Sequence, residues 1–137
     1  MRRVLVDSSV VLDLFTDDPV WAAPSLEALA SARLGGAELV IDPKVYAEVS
    51  TGFSKVEDLE RAIAGVGFAF EELPREALFL AAKAFVAYRR RGGERRSPLP
   101  DFFIGAHAAV RGWPLLTRDA RRVRAAYPRL ELIEPTR

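Results

Sequence analysis

The sequence contains no cysteine, which excludes a disulfide framework and any thiolate metal site. A reducing compartment fits this absence without being required by it. Histidine occurs once, as His107, so a histidine-rich zinc site is excluded too. Lysine is scarce: of 20 basic residues only Lys44, Lys55 and Lys83 are lysines. Long apolar runs are missing. The longest uncharged stretches, residues 62–70 and 102–110, have nine residues each, whereas a membrane-spanning helix needs roughly 20. The first apolar run, Val4-Leu5-Val6, ends after three residues at Asp7, too short for a signal peptide. A soluble cytoplasmic protein with no membrane association is expected. No repeat, linker or low-complexity tract is visible.

What is present is a globular composition. The chain has 137 residues, 50% apolar and 28% charged, enough for one domain with one core. Net charge is +1, but it is unevenly spread. Residues 1–82 carry 7 basic and 14 acidic side chains, a net of −7, and residues 83–137 carry 13 and 5, a net of +8. Chance clustering on solvated faces explains this as well as a basic surface that meets a polyanion beside an acidic pocket that needs a cation. The abundant arginine suits bidentate phosphate contacts.

Short apolar runs alternate with helical patterns. Strands are expected at Val4-Leu5-Val6, Leu39-Val40-Ile41, 68–70, Pro114-Leu115-Leu116 and 130–133. Helices are expected from Ser8 to Phe15, at 18–33, at 43–52, at 56–64, over Arg75–Arg90, from Pro100 to about Gly112, and over Ala120–Ala126. Asp18-Pro19 and Asp42-Pro43 both read as a cap followed by proline at the first helical position. In the helix over Arg75–Arg90, Leu78, Ala81, Ala82, Phe85 and Val86 should face inward. The alternation predicts an α/β fold with a parallel sheet covered by helices. Ligands of such sheets sit beyond the carboxyl ends of strands, where strand order reverses.

Four acids fall where that rule points, and each has a plain alternative. Asp7 directly follows a strand, and is also a good helix cap. Glu48 borders the apolar stripe of Val45, Val49 and Phe53, and is also an ordinary boundary carboxylate. Asp101 shares a face with Ile104, Gly105 and Ala108, and also suits the helix dipole. Asp119 follows the strand Leu115-Leu116, and is also a candidate cap. Together they suggest a site. Crowded carboxylates repel, and a divalent cation removes the conflict. Oxygen ligands without cysteine suit magnesium or manganese. His107, Tyr46, Phe102, Phe103 and Trp113 read as packing residues. Asp13, Asp17, Asp18 and Asp42 read as caps or surface charge.

In order along the chain, Val4-Leu5-Val6-Asp7-Ser8-Ser9-Val10, Tyr46-Ala47-Glu48-Val49, Leu99-Pro100-Asp101-Phe102-Phe103-Ile104-Gly105-Ala106-His107-Ala108, Leu115-Leu116-Thr117-Arg118-Asp119 and the closing Tyr127-Pro128-Arg129-Leu130-Glu131-Leu132-Ile133 resemble PIN-domain proteins of the VapC toxin type. The resemblance spans nearly the whole chain as a single domain, 1–137. It implies a three-layer fold whose mostly parallel five-stranded sheet has the order 3-2-1-4-5. It also implies an endoribonuclease that needs magnesium or manganese, a homodimer, and a small antitoxin partner that blocks the site.

The motif acids fall on Asp7, Glu48, Asp101 and Asp119. Ser8 stands where Thr is frequent, and Val123 where an aromatic is common. On this reading Asp7, Asp101 and Asp119 hold one or two ions, Glu48 orients the attacking water, and Ser8 and Thr117 support them. Hydrolysis would leave a 5′-phosphate and a 3′-hydroxyl. Arg89, Arg90, Arg91, Arg95, Arg96 and Arg118 are the candidate contacts to RNA or antitoxin.

Two other metal-binding readings, a non-enzymatic adhesion module and a phosphotransferase, fit poorly. An adhesion-type Asp-x-Ser-x-Ser motif breaks at Val11, and an Asp-x-Asp phosphotransferase lacks its second acid at Ser9. A PIN-like module that only binds RNA or protein is the remaining alternative.

Overall fold

The computed structural model describes residues 2–92 and 97–137; Arg95 and Arg96 lie outside them. The first strand, β1 (Arg2–Val6), leads into α1 (Ser8–Phe15) and α2 (Ala22–Leu34). Then come β2 (Ala37–Ile41), α3 (Pro43–Ser50), α4 (Val56–Val66), β3 (Ala69–Phe70) and α5 (Arg75–Arg90). A 3-10 turn (Leu99–Phe102) opens into α6 (Phe103–Arg111). The chain closes with β4 (Leu115–Leu116), α7 (Ala120–Ala126) and β5 (Leu132–Ile133).

The sheet order is β3-β2-β1-β4-β5 and every pairing is parallel. Val4, Leu5, Val6, Leu39, Val40, Ile41, Leu115 and Leu116 are all at most 1% exposed. Such strands are buried on both faces, which is why they read as unbroken apolar runs instead of alternating ones. With the right-handed crossovers that parallel strands require, this order puts α1 to α4 on one face and α5 to α7 on the other. The strand order reverses between β1 and β4. Leu5 pairs with Leu115 and Val6 with Leu116, so the residues following both strands meet at one point. Among the described residues no helix is long and apolar enough to cross a membrane.

Three expectations need correction. Asp18-Pro19 does not start a helix. Asp18 Oδ1 accepts the N–H groups of Val20 and Trp21, a local turn that competes with the helix and delays it to Ala22. Pro100 lies in the 3-10 turn, and the α-helix begins only at Phe103. The inward face of α5 is also rotated. Ala77 and Ala81 are fully buried, with Leu80, Ala84, Phe85 and Tyr88 against the core, whereas Leu78 and Val86 are exposed. Small alanines let α5 lie close to α6, and Phe85 and Tyr88 then reach the ring of Phe102.

Gly105 makes a similar close approach between α6 and α7. A Cβ there would sit 2.5 Å from two ring carbons of Tyr127. That ring is buried, and its hydroxyl donates to the Phe102 carbonyl at 2.8 Å. Gly105→Ala is therefore expected to destabilise the fold by about 1–3 kcal/mol through overpacking. Equilibrium unfolding in urea measures this, and an unchanged midpoint would show that α7 moves aside freely.

Candidate functional site

Asp7 occupies the reversal point. Its N–H continues the ladder by donating to Leu116 O at 2.9 Å, and its backbone then turns out of the strand to cap α1. The cap and the site are the same carboxylate: Oδ1 accepts from Ser8 N at 2.8 Å, and Oδ2 accepts from the Thr117 hydroxyl at 2.7 Å. Ser8 thus supports Asp7 through its backbone. Thr117 is completely buried, and its hydroxyl oxygen also accepts from Asp119 N at 2.9 Å. One hydroxyl therefore sets both the Asp7 carboxylate and the backbone from which Asp119 projects.

Burial raises the Asp7 carboxyl above its ordinary 3.8. The Thr117 hydrogen bond, the Lys44 charge and the Ser8 N–H work against that rise, and the Glu48 charge adds to it. Glu48 and Lys44 share a face of α3, four residues apart, with Lys44 Nζ 3.1 Å from Glu48 Oε2. The same ammonium is 4.0 Å from Asp101 Oδ1. Asp101 Oδ2 is 3.0 Å from Arg122 Nη1, and Arg122 Nε is 2.7 Å from Asp119 Oδ2. Asp119 stands at the cap position of α7, yet its side chain makes no capping hydrogen bond. The carboxylate is directed to Arg122 instead.

The acids thus form an alternating run, Glu48, Lys44, Asp101, Arg122, Asp119, beside the buried Asp7. Lys44 and Arg122 were not anticipated from the sequence. Their signal was there in the helical spacing to Glu48 (i, i+4) and Asp119 (i, i+3).

The donor set fits a hard divalent cation. The ligand atoms are all carboxylate oxygens, and Glu48 Oε1 is buried without a partner. Burial disfavours the charged form of Asp7, a penalty that a nearby cation would relieve. As they stand, no three acid or histidine side chains among the described residues converge to chelating distance. Arg122 stands between Asp101 and Asp119, and at 43% side-chain exposure it is free to swing outward.

Residues 4–127 match the model of the PIN domain family. The chain belongs to that family. No curated protein matches the sequence. Among solved structures the PIN domain is similar in fold to VapBC-1 from nontypeable Haemophilus influenzae, at 17% identity and a TM-score of 0.73, covering 98% of this chain and 99% of that one. It is similar to FitAcB from Neisseria gonorrhoeae at 19% identity and a TM-score of 0.72, covering 96% and 97%. A toxin–antitoxin complex from Klebsiella pneumoniae follows at 20% identity and a TM-score of 0.67, covering 97% and 98%.

Two further groups brace the site of this PIN domain. Asp13 is 2% exposed, not a surface charge, because α2 covers it. It accepts from Ser25 Oγ at 2.7 Å and from Arg118 Nε and Nη2 at 2.8 and 3.0 Å. Arg118, a candidate RNA or antitoxin contact, lies over Trp21 at 4.8 Å and anchors the Thr117–Asp119 loop. Asp42 is likewise more than a cap. One oxygen accepts from Val45 N at 3.0 Å, and the other lies 3.0 Å from His107 Nδ1, with both side chains fully buried. This pair ties the start of α3, which carries Lys44 and Glu48, to α6, which follows Asp101. His107 is packed against Trp113, as expected.

Arg89, Arg90 and Arg91 are exposed at the end of α5, one turn beyond the contacts of Phe85 and Tyr88 with Phe102. Arg95 and Arg96 lie outside the described residues.

The raised Asp7 carboxyl has a stability consequence. The folded state binds that proton more tightly than the unfolded chain, so stability falls as pH rises from the unfolded value through the folded one. Asp7→Asn removes this proton linkage. Its melting temperature relative to wild type should therefore rise as pH rises above the ordinary carboxylate value. A difference independent of pH, measured by thermal denaturation, would contradict the assignment of the penalty to Asp7.

Proposed function

We propose that this PIN domain is a magnesium- or manganese-dependent endoribonuclease, the toxin of a VapC-type toxin–antitoxin pair. The observation that carries the proposal is the run of carboxylates at the reversal point of the sheet, anchored on a buried Asp7 and neutralised by two cations. Such charge density has no structural purpose that an apolar or amide side chain would not serve better.

Asp7, Asp101 and Asp119 would hold the ion, with Thr117 and the Ser8 N–H fixing Asp7. When bound, the ion supplies a Lewis-acidic centre and a water of lowered pKa. Glu48 Oε1, buried and unpaired, is the acceptor that orients the attacking water. Hydrolysis in line with the scissile bond leaves a 5′-phosphate and a 3′-hydroxyl. Arg89, Arg90 and Arg91, next to the turn that carries Asp101, grip the RNA backbone or an acidic antitoxin segment. One solved structure of similar fold, from Klebsiella pneumoniae, is by its name a toxin–antitoxin complex, which supports an antitoxin partner. A homodimer acting in the cytoplasm completes the reading.

The alternative, a PIN-like module that binds RNA or protein without cutting, is favoured by one observation: Lys44 and Arg122 already neutralise the acids. Cleavage of a single-stranded RNA with magnesium separates the two. Wild type should cut and lose activity to a chelator, while Asp7→Asn and Asp101→Asn, both folded, should each lose at least ~100-fold in rate. A folded Asp7→Asn variant as fast as wild type would falsify the mechanism, and RNA binding without metal-dependent cleavage would favour the module.

The basic end of α5 has its own signature. Replacing Arg89, Arg90 and Arg91 together by Gln should weaken RNA binding and reduce the slope of log affinity against log salt by about 2–3. An unchanged slope would remove these residues from the RNA interface.

A further inference from the structure

The reading above gives neither Lys44 nor Arg122 a catalytic task, and the two cations differ. Lys44 is only 14% exposed, whereas Arg122 is 43% exposed. Its ammonium lies 3.1 Å from Glu48 Oε2 and 4.0 Å from Asp101 Oδ1, and its charge reaches Asp7 as well. The segment beneath it is held firmly. Asp42 caps α3 and is bonded to His107 on α6, and Pro43 fixes the first helical residue. A lysine ammonium is a compact point charge, unlike the planar guanidinium.

Asp101 divides the acids into two cation positions. Its Oδ1 lies toward Lys44, which also pairs with Glu48, and its Oδ2 pairs with Arg122, which also pairs with Asp119. The second position is covered by a surface arginine that can leave. The first is filled by a largely buried amine that the helix holds in place. Phosphodiesterases with two ions place both among carboxylates, about 3.5–4 Å apart; here the Lys44 ammonium already stands between Glu48 and Asp101, the acids that a second dication would need.

We propose that Lys44 is a built-in substitute for one of two metal ions. The site then takes a single divalent cation, on the side of Asp101 and Asp119, and the Lys44 ammonium serves as the fixed second positive charge beside Glu48. This rests on the metal-dependent reading above. It assigns Lys44 the part of steadying a phosphate oxygen or the departing 3′-oxygen, and it predicts the ion count.

The test counts bound Mn2+ per chain, by electron paramagnetic resonance of the free ion, on the whole protein near neutral pH. Circular dichroism confirms the fold of every variant. Wild type should bind one ion. Lys44→Met and Lys44→Gln should each bind two, and adding Glu48→Gln to either should return the count to one. Arg122→Ala should tighten binding and leave the count at one. Two ions in wild type, or one in both folded Lys44 variants, would overturn the proposal and leave the nuclease reading intact. If neither Lys44 variant folds, the wild-type and Arg122→Ala counts decide: one in both supports the proposal, and two in either rejects it. No bound ion in any protein would overturn the metal-dependent reading itself, and this proposal with it.

Discussion

A single hydrogen bond, from the Thr117 hydroxyl to Asp7 Oδ2 at 2.7 Å, holds the rest of the site in place. It joins the ends of β1 and β4, the two neighbours on either side of the sheet's reversal, and both of its partners are buried. The hydroxyl oxygen accepts from Asp119 N as well, so the second strand-end acid is aligned by the same group. A buried carboxylate is costly unless it is bonded in this way. Having accepted that cost, the fold presents Asp7 where two buried, paired strands end, while the other acids arrive on helices and a turn.

Around this anchor, charge is balanced locally and not by solvent. Lys44 and Arg122 alternate with three carboxylates, Asp13 pairs with Arg118, and Asp42 is held to His107 at 3.0 Å. These pairs differ in kind. The Asp13 and Asp42 pairs are deep, and they connect elements: α1 and α2 to the loop after β4, and α3 to α6. The pairs made by Arg122 are at the surface, where ion pairs contribute little and exchange readily. Rigid braces below and exchangeable charge above suit a site that must admit a cation and a polyanion without reorganising its frame.

Much of this was legible in the residues. The apolar runs at Val4-Leu5-Val6 and Leu39-Val40-Ile41 predicted buried parallel strands because nothing else of that length and composition is stable on both faces. Arg75–Arg90 and Ala120–Ala126 were bounded correctly by their helical spacing. The adjacency of β1 and β4 came only from the family resemblance, since strand order is a long-range property that periodicity does not encode. The start of α2 was misplaced because Asp18 spends its carboxylate on a turn instead of a cap. Asp13 and Asp42 read as caps or surface charge; Asp42 does cap α3, but the long-range partners of both were hidden for a related reason. Each is paired with a residue far along the chain, Arg118 and His107, and no local pattern signals such a partner. Lys44 and Arg122 were visible in helical spacing to their acids, but acids draw attention as ligands and the cations between them do not.

The two tryptophans give the braces an optical meaning. Trp21 lies between the guanidinium groups of Arg118 and Arg137, at 4.8 and 5.5 Å, on the brace that positions the Thr117–Asp119 loop. Trp113 packs on His107 at 5.6 Å, with Arg3 over its ring at 5.5 Å, on the brace that positions α3 against α6. The chain has no other tryptophan. Its tryptophan fluorescence therefore divides into one emitter for each support of the site, and replacing either ring by Phe leaves a probe that watches a single side of the candidate site.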